Sequence, residues 1–206
     1  SNLGMTHRHV EKLVKNINEL RDQNAIKKFK LFSSMETWGK RAEYLRTGLN
    51  IDTWEKNQDI YVRGTQAHIS HMNTYNILTV TSYKEFLQKM LEWRTMYEDV
   101  IPDNLGSHEQ VRKIRFDSPY LKEPLMYDMH LLPKEDFVPY LDECMQFISD
   151  NLDNSDTTKF DDIEFERFRR LKDYFVTTQY DQHRLTEGRL DFYNWFTYYD
   201  NRRDTD

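Results

Sequence analysis

Polar residues gather at the ends of three short apolar runs in this chain, and their positions carry more information than any single motif. Ser33, Ser34 and Glu36 close the run KFKLFSS, Asn73 and Asn76 follow QAHISHM, and Asp117 ends VRKIRFD, with Arg46 on the segment after the first. In parallel α/β sheets ligands bind at the carboxyl ends of strands, which is where hydroxyl, carboxylate and amide groups would then stand. Each residue also has a purely structural reading. Ser33 and Glu36 fit an S-x-x-E capping box, Arg46 could pair with Glu43 or Asp52, and Asn73, Asn76 and Asp117-Ser118-Pro119 suit turns.

The elements that would position these groups can be read from periodicity. Residues 7–22 show helical spacing of Val10, Leu13, Val14, Ile17 and Leu20, and 28–34 reads as a strand. Two S-x-x-E boxes, Ser33 with Glu36 and Ser82 with Glu85, predict helix starts near 35 and 83. Gly48 would end the first of these helices. A short helix is expected over 51–62, strands over 66–72 and 111–117, and a loop over 98–110. This alternation predicts parallel βαβ units with right-handed crossovers. Beyond an extended, proline-bounded segment (118–133), helices are expected over 134–150, 161–178 and 186–199. The fold class is therefore α/β, with an α/β part over 1–133 and a helical region over 134–206. Three strands cannot close a barrel, so the expected form is an incomplete one, the later strands of a partial barrel. The chain opens on Ser1 rather than Met and reads as a piece of a longer protein.

Composition narrows the function classes. The 206 residues carry a net charge of −6, which argues against nucleic-acid binding through phosphate neutralisation. Arg167, Arg169 and Arg170 are expected on a solvated helix face with Glu164, Glu166 and Asp173. Aromatic residues make up 14% and mean hydropathy is −0.88, so large rings must build the core. No apolar run is long enough to span a bilayer, which leads to the expectation of a cytoplasmic protein with no membrane partner. Cys144 is the only cysteine, sits in an apolar stripe, and cannot support a disulfide framework or an iron–sulfur cluster. His68 and His71 would point to opposite strand faces, and no phosphate-cradling or serine-hydrolase motif occurs. The helix over 186–199 is too aromatic to remain wet and should pack on the body.

The pieces SSMETWGKRAEYLRTGLNIDTWEKN, MNTYNILTVTSYKEFLQKMLEWR, RFDSPYLKEPLMYDMHLLP and RLDFYNWFTYYDNRRDTD span nearly the whole chain. They resemble the radical S-adenosylmethionine (radical SAM) superfamily, specifically the phage and bacterial proteins described as containing a twitch domain. The resemblance implies a partial (βα)₆ barrel holding a [4Fe–4S] cluster on a C-x-x-x-C-x-x-C loop, and a cluster that reduces S-adenosylmethionine to a 5′-deoxyadenosyl radical for hydrogen abstraction. That loop and any auxiliary-cluster cysteines are absent, so the cluster ligands are expected in a missing N-terminal segment that also supplies the first barrel strands. This chain alone should be inactive. The resemblance makes Ser33, Ser34, Glu36, Arg46, Asn73, Asn76 and Asp117 the cofactor-facing wall, with Arg46 pairing a carboxylate and the asparagines bonding ribose or an unknown substrate. The competing expectation is a non-catalytic α/β binding or scaffold protein.

Overall fold

The computed structural model describes residues 3–65, 67–100 and 112–203. Helix α1 (His7–Asp22) leads into strand β1 (Lys30–Ser34), then the short α2 (Lys40–Leu45), α3 (Ile51–Gly64) and β2 (His68–Met72). Helix α4 (Tyr83–Met96) precedes β3 (Ile114–Asp117), and α5 (Lys134–Asp150), α6 (Asp162–Thr177) and α7 (Gln182–Arg203) complete the chain. The expected α/β alternation is present, and the expected helix over 186–199 is longer at both ends. The stretch 101–111, which covers most of the expected loop and the start of the third expected strand, lies outside the described residues, as does Gln66.

Among the described residues the sheet has three strands, parallel and consecutive, in the order β1-β2-β3. Register pairs Leu31 with Ile69 and Ile69 with Ile114, then Ser33 with His71 and His71 with Phe116. Because strand side chains alternate, these six residues share one face. Helices α3 and α4 cover it: Trp54 and Trp93 flank His71 at 5.3 and 5.1 Å between ring centroids, and Phe86 meets Phe116 at 5.9 Å. Helix α1 packs along α3, close enough that a Cβ on Gly64 would lie 2.7 Å from Val14. Asn57 on α3 donates to the carbonyls of Leu3 and Met5, fixing the entry to α1.

The other sheet face carries Lys30, Phe32, Ser70, Met72, Arg115 and Asp117, and opens on a groove of about 610 Å³. Phe32 is half-exposed there. Beyond β3, α5 and α6 extend the core, and one continuous cluster runs from Leu3 to Phe175. The α/β part and the helical region thus share a single interior. Arg94 of α4 locks the junction. It donates to both carboxylate oxygens of Glu164 (2.5 and 3.2 Å) and to the carbonyls of Ile114 and Lys159.

Glu164 therefore departs from the solvated face expected for it. At the third position of α6 it also completes a capping box with Asp161, which turns its carboxylate inward to Arg94. Arg169 with Glu166 and Asp173 does lie in solvent, as expected. Cys144 is buried in the core. No helix among the described residues is long and apolar enough to cross a membrane.

Candidate functional site

At the end of β1 the backbone continues the ladder for one residue, Met35 N–H donating to Met72 O at 3.1 Å, and then turns away. Thr37 Oγ1 lies 2.6 Å from Ser82 Oγ, tying this turn to the start of α4. Helix α2 begins only at Lys40, after Gly39 at φ +70°, a conformation glycine adopts without a Cβ penalty. The capping box expected from Ser33 and Glu36 does not form, because both residues precede the helix. Ser82 does immediately precede α4, but its side chain makes no capping bond.

Glu36 instead reaches across α2 to the residue that ends it. Arg46 Nε donates to Glu36 Oε2 at 2.5 Å and Nη2 donates to Oε1, a bidentate pair whose side chains are 27% and 18% exposed. Arg46 thus pairs with neither Glu43 nor Asp52. Glu43 accepts from the backbone N–H of Ile51 instead. A guanidinium has five N–H donors, and this pair engages two of them.

The end of β2 provides the second edge of the site. Asn73 N–H donates to Asp117 O at 2.8 Å, and its side chain follows His71 onto the helix-covered face, fully buried. Asn76 builds its own turn: its amide donates to Thr74 O and accepts from Leu78 N–H, both at 2.9 Å. One donor and one acceptor of that amide remain for a ligand. Parallel pairing resumes beyond the strands as a bridge between Tyr75 and Tyr120.

Between these edges lies a cavity of about 370 Å³, within the size range of small-molecule sites. Glu36, Arg46, Thr74 and Asn76 give it polar groups, and Leu45, Leu78 and Leu121 give it apolar walls. Tyr127, Trp195 and Tyr199 complete it. Two of these rings come from α7, which crosses the strand ends and is held by Tyr44. Tyr44 Oη donates to Asp200 at 2.5 Å, and Tyr199 Oη donates to Tyr44 O at 2.9 Å. A carboxylate, a guanidinium and aromatic faces in one cavity can bind a zwitterion and a planar ring.

The seven residues singled out from sequence do not converge on this cavity. Glu36, Arg46 and Asn76 line it. Ser33 and Asn73 face the helices, buried, with their side-chain polar atoms unpaired among the described residues. Ser34 takes the alternate register position to Ser33, on the groove side of β1. Asp117 lines the groove, 3.7 Å from Arg167. The strand ends do border this cavity, but pleat alternation sends neighbouring residues to different faces. Thr74, Tyr127, Trp195 and Tyr199 were missed as site residues. The aromatic stripe of the last helix was the one sequence signal for Trp195 and Tyr199, and Thr74 and Tyr127 had none.

His71, His68 and Cys144 are buried in the interior. His71 lies between Trp54 and Trp93 with neither ring nitrogen bonded among the described residues, and burial, aided by the Arg94 charge, pushes its pKa down to about 3. His68 points to the opposite face, as expected, its Nδ1 3.0 Å from Arg112 O. Burial pushes the Cys144 thiol up to about 12, leaving it protonated and unreactive near neutrality. No group of three or more His, Cys, Asp or Glu side chains among the described residues could hold a metal ion. No family model matches the chain, and no curated protein or solved structure matches it either.

Proposed function

We propose that this chain supplies the S-adenosylmethionine-facing wall of a radical SAM enzyme. The observation that carries the reading is the bidentate Arg46–Glu36 pair, set with Asn76 in a cavity at the carboxyl ends of two adjacent parallel strands. A zwitterionic methionyl group would meet both charges it needs there: Arg46 for its carboxylate and Glu36 for its ammonium. Consecutive parallel strands with α1, α3 and α4 on one side and a polar face on the other support an incomplete barrel, whose inner face would be the groove side. That architecture is part of the proposal, as are a cytoplasmic location and a substrate that reacts by hydrogen abstraction.

The described residues fit the cofactor's polar end but not a [4Fe–4S] cluster, which needs several thiolates, whereas Cys144 is single and buried. On this reading the cluster ligands come from a segment outside this chain, and this chain's residues bind and orient the cofactor without taking part in electron transfer.

The test is to read the coding sequence upstream of Ser1 and to express the whole frame anaerobically. An in-frame C-x-x-x-C-x-x-C after an apolar run, with 5′-deoxyadenosine formed on reduction, supports the reading, and Arg46→Ala in that protein should slow the reaction. A stop codon just upstream with no such motif overturns it. That outcome favours a binding or scaffold protein, consistent with the exposed Leu190, Tyr193 and Tyr198 on the outer side of α7.

A further inference from the structure

Helix α7 shows two faces. Phe192, Trp195, Phe196 and Tyr199 recur at helical spacing and are partly buried, whereas Tyr193 and Tyr198 between them are exposed. The inward stripe does not enter the main core. It lies across the ends of the strands, where Phe196 meets Tyr44 at 6.1 Å and Trp195 meets Tyr127 edge-on at 4.9 Å. Trp195 also stacks on Tyr199 at 4.9 Å. Trp54 and Trp93 are fully buried between helices and sheet, but Trp195 remains partly exposed in a cavity wall.

Both ends of α7 are fastened. Tyr180, just before the helix, donates to buried Asp128 at 2.6 Å, and Arg189 donates to Leu131 O at 2.8 Å. A Cβ on Gly188 would fall 2.5 Å from Leu131, so the helix lies against that segment without a gap. Near the other end, Asp200 and Tyr199 bond to Tyr44 of α2. Since α2 also carries Leu45 and leads directly into Arg46, these bonds hold the aromatic wall and the charged pair in one assembly.

We propose that α7 is a working wall of the ligand site, and that Trp195, backed by Tyr199 and braced edge-on by Tyr127, stacks the planar base of a bound nucleoside while the Arg46–Glu36 pair takes the charged end of the ligand. The inference rests on the cofactor-wall reading and adds a role for the C-terminal helix that the strand-end residues do not provide. A purine exposes a π-face that an indole can cover without hydrogen-bond readout, so the contact selects for a planar ring rather than a particular edge.

Adenosine tests this without any need for a cluster or a methionyl group. Titration into the intact chain, followed by amide and indole NMR shifts, should move Trp195 and Tyr127 and give ring-to-ring nuclear Overhauser contacts between adenine and Trp195. Free methionine should leave both residues unmoved. Trp195→Ala should weaken adenosine binding about ten-fold or more, and Trp195→Phe should restore most of it. The Overhauser contacts in the unaltered chain carry the test if Trp195→Ala disturbs the helix. Adenosine binding that is indifferent to Trp195→Ala and shows no contact with the indole overturns the role of α7 while leaving the Arg46–Glu36 site intact. No shift at the cavity with millimolar adenosine also overturns it, and the upstream cysteine motif then decides the cofactor reading separately.

Discussion

Two Arg–Glu pairs of identical chemistry stand in different surroundings. Arg94–Glu164 is sealed at the junction of α4, β3 and α6, with side chains 2% and 6% exposed, and every contact serves the fold. Arg46–Glu36 lines a cavity at the strand ends and is partly wet. A buried pair cannot release a partner without stranding a charge in low dielectric, so it is fixed. A partly exposed pair contributes less to stability than a sealed one and can exchange one partner for a ligand group. Burial, and not the residue types, separates the sealed pair from the one that lines a cavity.

The comparison makes graded predictions. Arg94→Met or Glu164→Gln should cost about 3–5 kcal/mol in urea unfolding, because each leaves an uncompensated buried group. Replacing both by apolar residues of similar volume should recover much of that loss. If the single changes proved nearly silent, the pair would not be the lock described.

Acid should act on the same interior. His71 stays neutral when folded, with its pKa lowered to about 3, while its unfolded value is near 6.5. Protonation of the unfolded chain therefore drains stability as pH falls below about 6.5, at up to about 1.4 kcal/mol per pH unit, until the folded value is reached. Above that window the contribution is constant. His71→Leu should flatten this part of the stability–pH curve, which thermal melts between pH 7 and 4.5 would reveal.

Smaller effects are expected at the cavity and on the surface. Arg46→Ala should change stability by about 1 kcal/mol or less, yet lower affinity for S-adenosylmethionine, as calorimetry would show. Arg169→Ala, which removes exposed contacts with Glu166 and Asp173, should leave both the melting temperature and ligand binding essentially unchanged. A loss at Arg46 as large as that at Arg94 would erase the distinction between the two regions.

Much of the fold was legible because strong apolar periodicity sets α1, α3, α5 and the strands, and tertiary packing agrees with it. Helix α2 was placed too early because an S-x-x-E spacing also suits a carboxylate used elsewhere, and only the chain's turn at Gly39 separates the two cases. The burial of Glu164 could not be read locally, since its partner Arg94 lies 70 positions away. Strand-end position singled out Glu36, Arg46 and Asn76, and the structure brings these three to one cavity. Position alone did not separate them from Ser33 and Asn73, whose side chains the pleat sends to the other face. Trp195 and Tyr199 entered the reading only as an aromatic stripe, because what a helix stripe covers is decided by how the chain returns over the sheet.

The most direct test of the cavity is a titration of S-adenosylmethionine into isotope-labelled chain, watching the Nε–H resonances of the two paired arginines together. The expected result is a saturable shift at Arg46, with Trp195 moving alongside it and Arg94 unmoved. Shifts at Arg94 but not Arg46, or none at either with millimolar ligand, would contradict the assignment of the strand-end pair to ligand binding.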